Sequence, residues 1–345
     1  MNVTIYDVAK KAGVGIGTVS RVINNSPHLS IKTKLKVEKV IKELKYQPHA
    51  MAQSLARKKT NTVACIVPDF TGYFFVEMLC GIQRECSTLG YDLILYSVDE
   101  IEKKEMFLKR TLREKKVDGV LFLSLDISDK EADRFIQADF PIVLVDSFHP
   151  KLDSIMVENE EGAFLATDHL LQLGHRKVGV ITGHLDSVPA NVRLEGYKRA
   201  LNHCKIQLND QYISISSMNG DTEERSNHGF NKKAGYNAMM RLLDKNSDPP
   251  TAVFVSSDIQ ALGAINAVMD RGLKVPEDIA IVGFDDIELA AWVGLSTMRQ
   301  PMAEMGSLAV SRLFEKIQQH HLPTMNKLFT PKLIVRESSG DRISN

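Results

Sequence analysis

Hydrophobic positions in the first 45 residues follow a helical period that is interrupted and restarted twice. Two short amphipathic helices joined by a tight turn at Gly13 are predicted, which is the helix-turn-helix arrangement. Ser30 is a good N-cap for a third helix, whose apolar face would close a small core. The exposed side of the second helix carries Thr18, Ser20 and Arg21, whose hydroxyls and guanidinium suit phosphates and base edges in a major groove. The apolar positions are Ile5, Val8, Ala9, Ile16, Val19, Val22, Ile23, Ile31, Leu35, Val37, Val40, Ile41 and Leu44.

From Asn61 onward the pattern changes to short apolar strands that alternate with amphipathic helices. This rhythm predicts parallel sheets covered by helices on both faces. It runs once to Val145 and then starts again with a helix at Ala163, which indicates two lobes of similar length. Ligands of such sheets bind beyond the C-terminal ends of the strands, so a cleft between the lobes is the expected site. The predicted strands are 62–67, 91–96, 119–123, 142–145, 178–181, 212–215, 252–255 and 280–284.

The formal net charge of zero hides a strong asymmetry along the chain. Residues 1–59 carry twelve Lys and Arg against three Asp and Glu, a net charge of +9, and the remaining residues therefore carry −9. A basic head on an acidic body predicts that a polyanion binds at the N-terminus. The length of 345 residues also exceeds one typical core, so two or three domains are expected.

Several classes of protein are excluded by what the sequence lacks. The four cysteines form no C-x-x-C pair and suit reduced thiols in the cytoplasm. There is no N-terminal signal sequence and no run of about eighteen apolar residues, so neither export nor a membrane span is expected. The sequence also has no phosphate-binding loop, no G-x-S-x-G and no H-E-x-x-H. We therefore expect no enzyme activity, no cofactor and no metal site.

The run T-I-Y-D-V-A-K-K-A-G-V-x-x-x-T-V-S-R-V-I-N at residues 4–24 resembles the headpiece of lactose-repressor-type (LacI/GalR) transcriptional regulators. The resemblance continues to the C-terminus. It implies an all-α helix-turn-helix headpiece and a two-lobed α/β core with parallel sheets, like that of periplasmic sugar-binding proteins. The implied parts are a DNA-binding domain at 1–46, a hinge at 47–59 and a core at 60–340, with lobe one at 60–159 and 291–321 and lobe two at 160–290 and 322–340.

The resemblance also implies three crossovers between the lobes, near Asn159, Leu289 and Leu322. They would return residues 297–319 to the first lobe and residues 328–336 to the second.

The resemblance implies which residues of the headpiece and hinge meet DNA. The two positions that vary with operator sequence in the family fall on Ile16 and Gly17, and both depart from the polar residues common there. Ile16 can touch a thymine methyl, whereas Gly17 weakens its helix by roughly 1 kcal/mol relative to Ala. In the hinge, Leu55 matches a leucine that wedges into the minor groove, although a plain linker is the alternative. The predicted DNA contacts are Thr4, Tyr6, Ile16, Gly17, Thr18, Ser20, Arg21, Asn24, Tyr46, His49, Ala52 and Leu55.

In the cleft, aromatic, guanidinium and carboxylate side chains indicate an effector site. Tyr73 and Phe74 stand in the family's P-D-x-x-x-x-F-F pattern and can stack on a sugar ring or a base. Arg193, in R-x-x-G-Y, supplies a planar fork of donors, and Asp258, in V-S-S-D, supplies acceptors for vicinal hydroxyls. The predicted effector contacts are Tyr73, Phe74, Asn159, Arg193, Phe230 and Asp258. The acidic cluster at Asp285 and Asp286 is interpreted as structural.

The sequence thus predicts an allosteric, sequence-specific DNA-binding repressor that acts as a homodimer in the cytoplasm. Its partners would be double-stranded DNA with a pseudo-palindromic operator and a small-molecule effector. A sugar or sugar phosphate fits the aromatic, Asp and Arg residues best, and a purine comes second. Two alternatives stay open at this stage: control by a protein co-regulator, and an enzyme with a regulatory head.

Overall fold

A computed structural model describes residues 3–23, 29–46, 59–68, 72–98, 101–114, 116–216, 222–245, 248–319 and 321–341. The chain divides into two compact units, residues 1–61 and residues 62–345. Four of the predicted DNA contacts, Asn24, His49, Ala52 and Leu55, lie outside the described residues, as does most of the predicted hinge.

The described part of the N-terminal unit holds three helices, α1 (Ile5–Ala12), α2 (Ile16–Ile23) and α3 (Ile31–Leu44). Their apolar faces enclose a small core in which Val8, Ala12, Val19 and Val37 are fully buried. The turn between α1 and α2 requires Gly13, because its φ of +62° lies in the left-handed region that a Cβ atom disfavours. The hydroxyl of Ser30 accepts a hydrogen bond from the backbone N–H of Thr33 at 3.2 Å, which confirms the predicted cap of α3.

The second unit contains, within its described residues, two six-stranded sheets. The first sheet comprises β1 (Thr62–Val67), β2 (Asp92–Ser97), β3 (Gly119–Leu123), β4 (Ile142–Val145), β5 (Asp153–Val157) and β11 (Asn326–Phe329). The second comprises β6 (Val178–Thr182), β7 (Ile213–Ile215), β8 (Ala252–Val255), β9 (Ala280–Asp285), β10 (Ser296–Arg299) and β12 (Lys332–Ile334). The strand orders are β11-β5-β4-β3-β1-β2 and β12-β10-β9-β8-β6-β7.

Helices cover both sheets, whose central strands are buried along their whole length as two-sided parallel sheets require. The recorded strand pairs are parallel apart from β10 with β12. In the described residues no helix is both long enough and apolar enough to cross a membrane. The helices of this unit are α4 (Tyr73–Leu89), α5 (Ile101–Glu114), α6 (Asp129–Gln137), α7 (Asn159–Gln172), α8 (Val188–His203), α9 (Thr222–Arg225), α10 (Lys232–Lys245), α11 (Asp258–Asp270), α12 (Glu288–Trp292) and α13 (Met302–Gln318).

The chain passes between the sheets later than the sequence predicts at two of the three crossovers. Strand β10 pairs with β9 and stays in the second sheet, so the second crossover follows Arg299 and does not lie near Leu289. Strand β11 pairs with β5 in the first sheet, so the third crossover follows Phe329 and does not lie near Leu322. The second predicted boundary was wrong because β10 begins with Ser296 and Thr297, polar residues whose hydroxyls are satisfied inside the core.

Close packing of two helices positions the candidate site of the second lobe. A Cβ atom at Gly196 in α8 would collide with the backbone carbonyl of Glu160 in α7, so only glycine allows this approach. The approach brings Arg193, one turn earlier on α8, beside Asn159 at the start of α7.

Candidate DNA-binding surface and effector site

Most of the predicted DNA contacts that the structure describes are exposed on the headpiece. Tyr6 in α1 is exposed, as are Ile16, Gly17 and Arg21 in α2. Thr18 and Ser20, also in α2, are half-buried. Thr4 lies at the N-terminus of α1, where its hydroxyl and backbone N–H both donate to Asp7. Around Gly17 there is open space, since no atom lies within 4 Å of the position that a Cβ would take.

Tyr46 is placed differently from the prediction that it contacts DNA. Only 9% of its surface is exposed, and it packs with Val8, Val37 and Val40 in the core of the headpiece. Its ring therefore completes this small core after the end of α3 and is not presented on the surface where DNA would bind.

Arg193 is the centre of the candidate effector site. Its side chain is 4% exposed, its Nε donates to Oδ1 of Asn159 at 2.8 Å, and its Nη1 donates to the backbone carbonyl of Ser256 at 2.5 Å. The guanidinium carbon lies 3.8 Å from the ring centroid of Phe284 and 5.9 Å from that of Phe230. The structure thus brings together Arg193, Asn159 and Phe230, three of the predicted effector residues.

Asp285, at the end of β9, lies beside Arg193, although the sequence analysis interpreted it as structural. Its Oδ1 lies 3.8 Å from Nη1 of Arg193 and accepts a hydrogen bond from Nε2 of Gln300 at 2.6 Å. Burial raises the pKa of Asp285 to about 8, and the Arg193 charge opposes that shift. Its φ of +128° is a strained backbone conformation of the kind that occurs at functional sites. The neighbouring Asp286 is structural, since it pairs with Arg299 and Arg336.

Asp258 is fully buried, and the prediction that it accepts hydrogen bonds from effector hydroxyls does not match its surroundings. Its Oδ1 accepts from the Thr297 hydroxyl at 2.5 Å, and its Oδ2 accepts from the backbone N–H of Ile287 at 3.0 Å. Burial raises its pKa to about 7. Both carboxylate oxygens are already used to hold the segment after β9 against β10, so Asp258 supports the site from behind.

The first lobe contributes Asp146 and Ser124, which the sequence analysis missed. They follow strands β4 and β3, and the Ser124 hydroxyl donates to Oδ2 of Asp146 at 2.7 Å. Burial raises the pKa of Asp146, while the Ser124 hydrogen bond and the Arg193 charge oppose the shift. Asp146 therefore interacts electrostatically with an arginine of the other lobe. The available signal was an acidic residue directly after a wholly apolar strand.

The aromatic pair Tyr73 and Phe74 begins α4, the helix that follows β1. The ring of Tyr73 is 48% exposed, whereas Phe74 is half-buried and meets Phe75 edge to face with ring centroids 5.2 Å apart. Of the two, Tyr73 has more free surface on which a ligand ring can stack.

The charges around Arg193 define what the cleft can bind. One buried guanidinium faces the carboxyl groups of Asp146, Asp258 and Asp285. Burial lowers the pKa of Arg193, and these carboxylates oppose that shift. Such a site offers the remaining donors of Arg193, the carboxyl groups of Asp146 and Asp285 and the half-buried ring of Phe230.

Comparison with known proteins places both units in known families. Residues 4–49 match bacterial regulatory proteins of the lacI family, and residues 167–339 match a periplasmic binding protein-like domain. The ribose operon repressor of Haemophilus influenzae is 37% identical over 339 residues, which cover 97% of this chain and 98% of that protein. Catabolite control protein A of Priestia megaterium is 36% identical over 319 residues, which cover 91% and 92% of the two chains.

Solved structures agree over the whole length. The lac repressor dimer bound to operator and the anti-inducer ONPF matches with a TM-score of 0.83 at 29% identity, covering 99% of this chain and 100% of that chain. The transcriptional regulator CelR in complex with cellobiose matches with a TM-score of 0.71 at 30% identity, covering 98% and 100%. These matches confirm the predicted fold class of a helix-turn-helix headpiece and a two-lobed α/β core. The chain therefore belongs to the LacI family of bacterial regulatory proteins, which are DNA-binding transcriptional regulators.

Proposed function

We propose that this protein is a repressor that binds a pseudo-palindromic operator as a homodimer in the cytoplasm and is controlled by a neutral sugar bound between its two lobes. The observation that carries the proposal is the buried Arg193, which lies against Asp285 of its own lobe and interacts electrostatically with Asp146 of the other. A ligand that replaces or bridges these interactions changes the energy of one lobe relative to the other.

The choice of a neutral sugar follows from hydrogen-bond chemistry. Sugar hydroxyls both donate and accept, so they can satisfy the carboxylates and the guanidinium at the same time. A sugar phosphate needs a cation to balance its negative charge, and the buried guanidinium of Arg193 already lies 3.8 Å from Asp285 and beside the charge of Asp146. A purine remains the competing ligand, because the exposed ring of Tyr73 and the half-buried ring of Phe230 can stack on a planar group.

The relatives support this choice and the dimer. One is named for the ribose operon, and one similar structure is a complex with cellobiose. Another is a dimer bound to operator together with an anti-inducer. Two headpieces are needed because a single recognition helix reads only a few base pairs. Ligand binding in the core then shifts DNA affinity through the free energy that couples the two sites.

The test is a calorimetric titration of the full chain with pentoses, hexoses, disaccharides, sugar phosphates and purine bases. A ligand at about one hundred times its dissociation constant should also stabilise the fold by roughly 2.7 kcal/mol, visible as a raised melting temperature. Asp146→Asn should weaken binding of a hit, whereas Glu195→Gln, an exposed acid on α8, should not. Binding of sugar phosphates or purines, with neutral sugars inert, would contradict the proposal.

A second measurement tests regulation separately from ligand binding. Duplexes enriched from a random library by the full chain serve as the DNA, and fluorescence anisotropy reports affinity with and without the hit. The proposal requires the sugar to change operator affinity and Arg21→Ala to abolish operator binding while sugar binding persists. A sugar that binds without any effect on DNA affinity would show that the cleft is not regulatory.

A further inference from the structure

Two loops at the C-terminal edge of the second sheet bring three potential metal ligands together. His184 and Asp186 follow strand β6, and His228 lies in a 3-10 turn at Ser226–Gly229. One donor atom of each of these side chains lies within 4.8 Å of the others. The two loops are far apart in the sequence, so ligand spacing along the chain gives no metal motif. The cluster exists only in the folded protein.

We propose that His184, Asp186 and His228 form a binding site for a first-row divalent transition metal such as Zn²⁺. Two imidazoles and one carboxylate are an established ligand set for zinc, with a fourth position open to water. Donor atoms around a tetrahedral ion lie about 3.4 Å apart when the metal–ligand distances are about 2.0–2.2 Å. Nδ1 of His228 and Oδ1 of Asp186 are already 3.9 Å apart, and both side chains are exposed and free to rotate the remaining distance.

The third ligand, His184, is held ready by the fold. It is 4% exposed, and its Nε2 is buried without a hydrogen-bond partner in the part of the chain that the structure describes. Buried polar atoms are nearly always paired, so this imidazole is an exception that calls for a role. A metal ligand needs an imidazole nitrogen lone pair that is not already committed to a hydrogen bond within the protein.

The backbone fixes the two loops relative to each other before any ion binds. The N–H of His184 donates to the carbonyl of His228 at 2.8 Å. Asn227 and His228 hold φ angles of +49° and +51°, which set the direction of the His228 side chain. The ion would therefore join two loops that are already adjacent. Because Phe230 follows His228 by two residues and faces Arg193 at 5.9 Å, the same ion would also restrain one wall of the candidate effector site.

Titration of the untagged full chain with Co²⁺ tests the site directly. We expect one Co²⁺ per chain, visible-region absorption typical of tetrahedral cobalt without a thiolate charge-transfer band, and displacement by Zn²⁺. His228→Gln and Asp186→Asn should each lower Co²⁺ affinity at least tenfold. The matched control His203→Gln removes an exposed histidine on α8 outside the cluster and should leave affinity unchanged.

Three results would each contradict the proposed metal site. Stoichiometric Co²⁺ binding that survives both exposed-residue variants, a thiolate band, or the absence of saturable binding would each exclude it. His184→Gln is the third variant, and its melting curve shows whether loss of binding reflects a missing ligand or an unfolded core. None of these measurements involves DNA or sugar, so failure of the metal site leaves the proposed function untouched.

Discussion

The Nε atom of Arg193 donates a hydrogen bond to Oδ1 of Asn159 at 2.8 Å, and this bond links helix α8 to the first residue of α7. Asn159 is also where the chain enters the second lobe, directly after β5 of the first sheet. One nitrogen of the Arg193 guanidinium therefore donates to Asn159 at the lobe junction, and another donates to the backbone carbonyl of Ser256. The arginine at the centre of the candidate effector site therefore also contacts the residue at the crossover.

Arg193→Lys should weaken effector binding at least tenfold, or about 1.4 kcal/mol. A lysine keeps the positive charge but cannot donate to Asn159 and Ser256 in a fixed fork, and it loses the stacking on Phe284. Calorimetric titration with the best sugar measures the effect. Arg199→Lys on the same helix is the control, because that arginine likewise stacks on a ring, that of Phe164, but makes exposed ion pairs with Glu160 and Glu161. Equal losses in the two variants would show that Arg193 does not touch the ligand.

The buried carboxyl groups predict how stability changes with pH. Burial raises the pKa values of Asp258 and Asp285 to about 7 and about 8, above the ordinary value of 3.8. The folded state then holds protons that the unfolded state has released, so this contribution to stability is full below pH 3.8 and is lost as pH rises through 7 to 8. We expect the melting temperature to fall by a few degrees between pH 6 and pH 9.

Asp258→Asn tests the origin of that pH dependence. The amide keeps an acceptor for the Ile287 N–H, and its NH₂ can donate to the Thr297 hydroxyl, which then accepts. The variant should fold and show a flatter melting temperature between pH 6 and pH 9. The exposed substitution Asp210→Asn should keep the wild-type slope. An unchanged slope in Asp258→Asn would assign the pH dependence to other groups.

The sequence revealed the helices of the headpiece and the alternation of the core because both depend on apolar periodicity. It did not reveal β5 and β10, which contain buried polar residues such as Ser154 and Thr297 that read as loop. It also chose Asp258 over Asp285 as the cleft carboxylate. Asp258 begins α11 and Asp285 ends β9; the carboxylate of Asp258 holds Ile287 and Thr297, whereas that of Asp285 lies beside Arg193. That information exists only in the fold.

Substitution of Asp153, a buried acid of the core, should strongly destabilise the protein. It is fully buried in β5 and accepts hydrogen bonds from Nε of Arg312 at 3.1 Å, from Lys316, and from the backbone N–H of Met325 at 2.6 Å. Asp153→Ala removes the acid that Lys316 and Arg312 share, leaves Arg312 with Glu315 alone as its acidic partner among the described residues, and should lower the free energy of unfolding by about 3–5 kcal/mol. Urea denaturation of the full chain measures it.

The control for Asp153 is Asp133→Ala, which removes an exposed ion pair of 2.7 Å with Lys151. Solvent screens that pair, so a change within about 1 kcal/mol is expected. If both variants unfolded at the same urea concentration, the buried cluster that joins β5 to α13 would contribute no more to stability than a surface pair.

Two glycines of the headpiece should respond in opposite ways to alanine. Gly17 lies in helix α2 with open space around it, so Gly17→Ala should stabilise the headpiece by roughly 0.5–1 kcal/mol through helix propensity. Gly13 ends α1 with a φ of +62°, so Gly13→Ala should destabilise it. Circular dichroism melting of the full chain, followed at the headpiece transition, measures both.

Because position 17 is exposed next to Ile16, Gly17→Ala should also shift the preferred operator bases in a selection from random duplexes. A change of operator preference in Gly13→Ala at unaltered Gly17 would assign base reading to the turn instead of the face of α2.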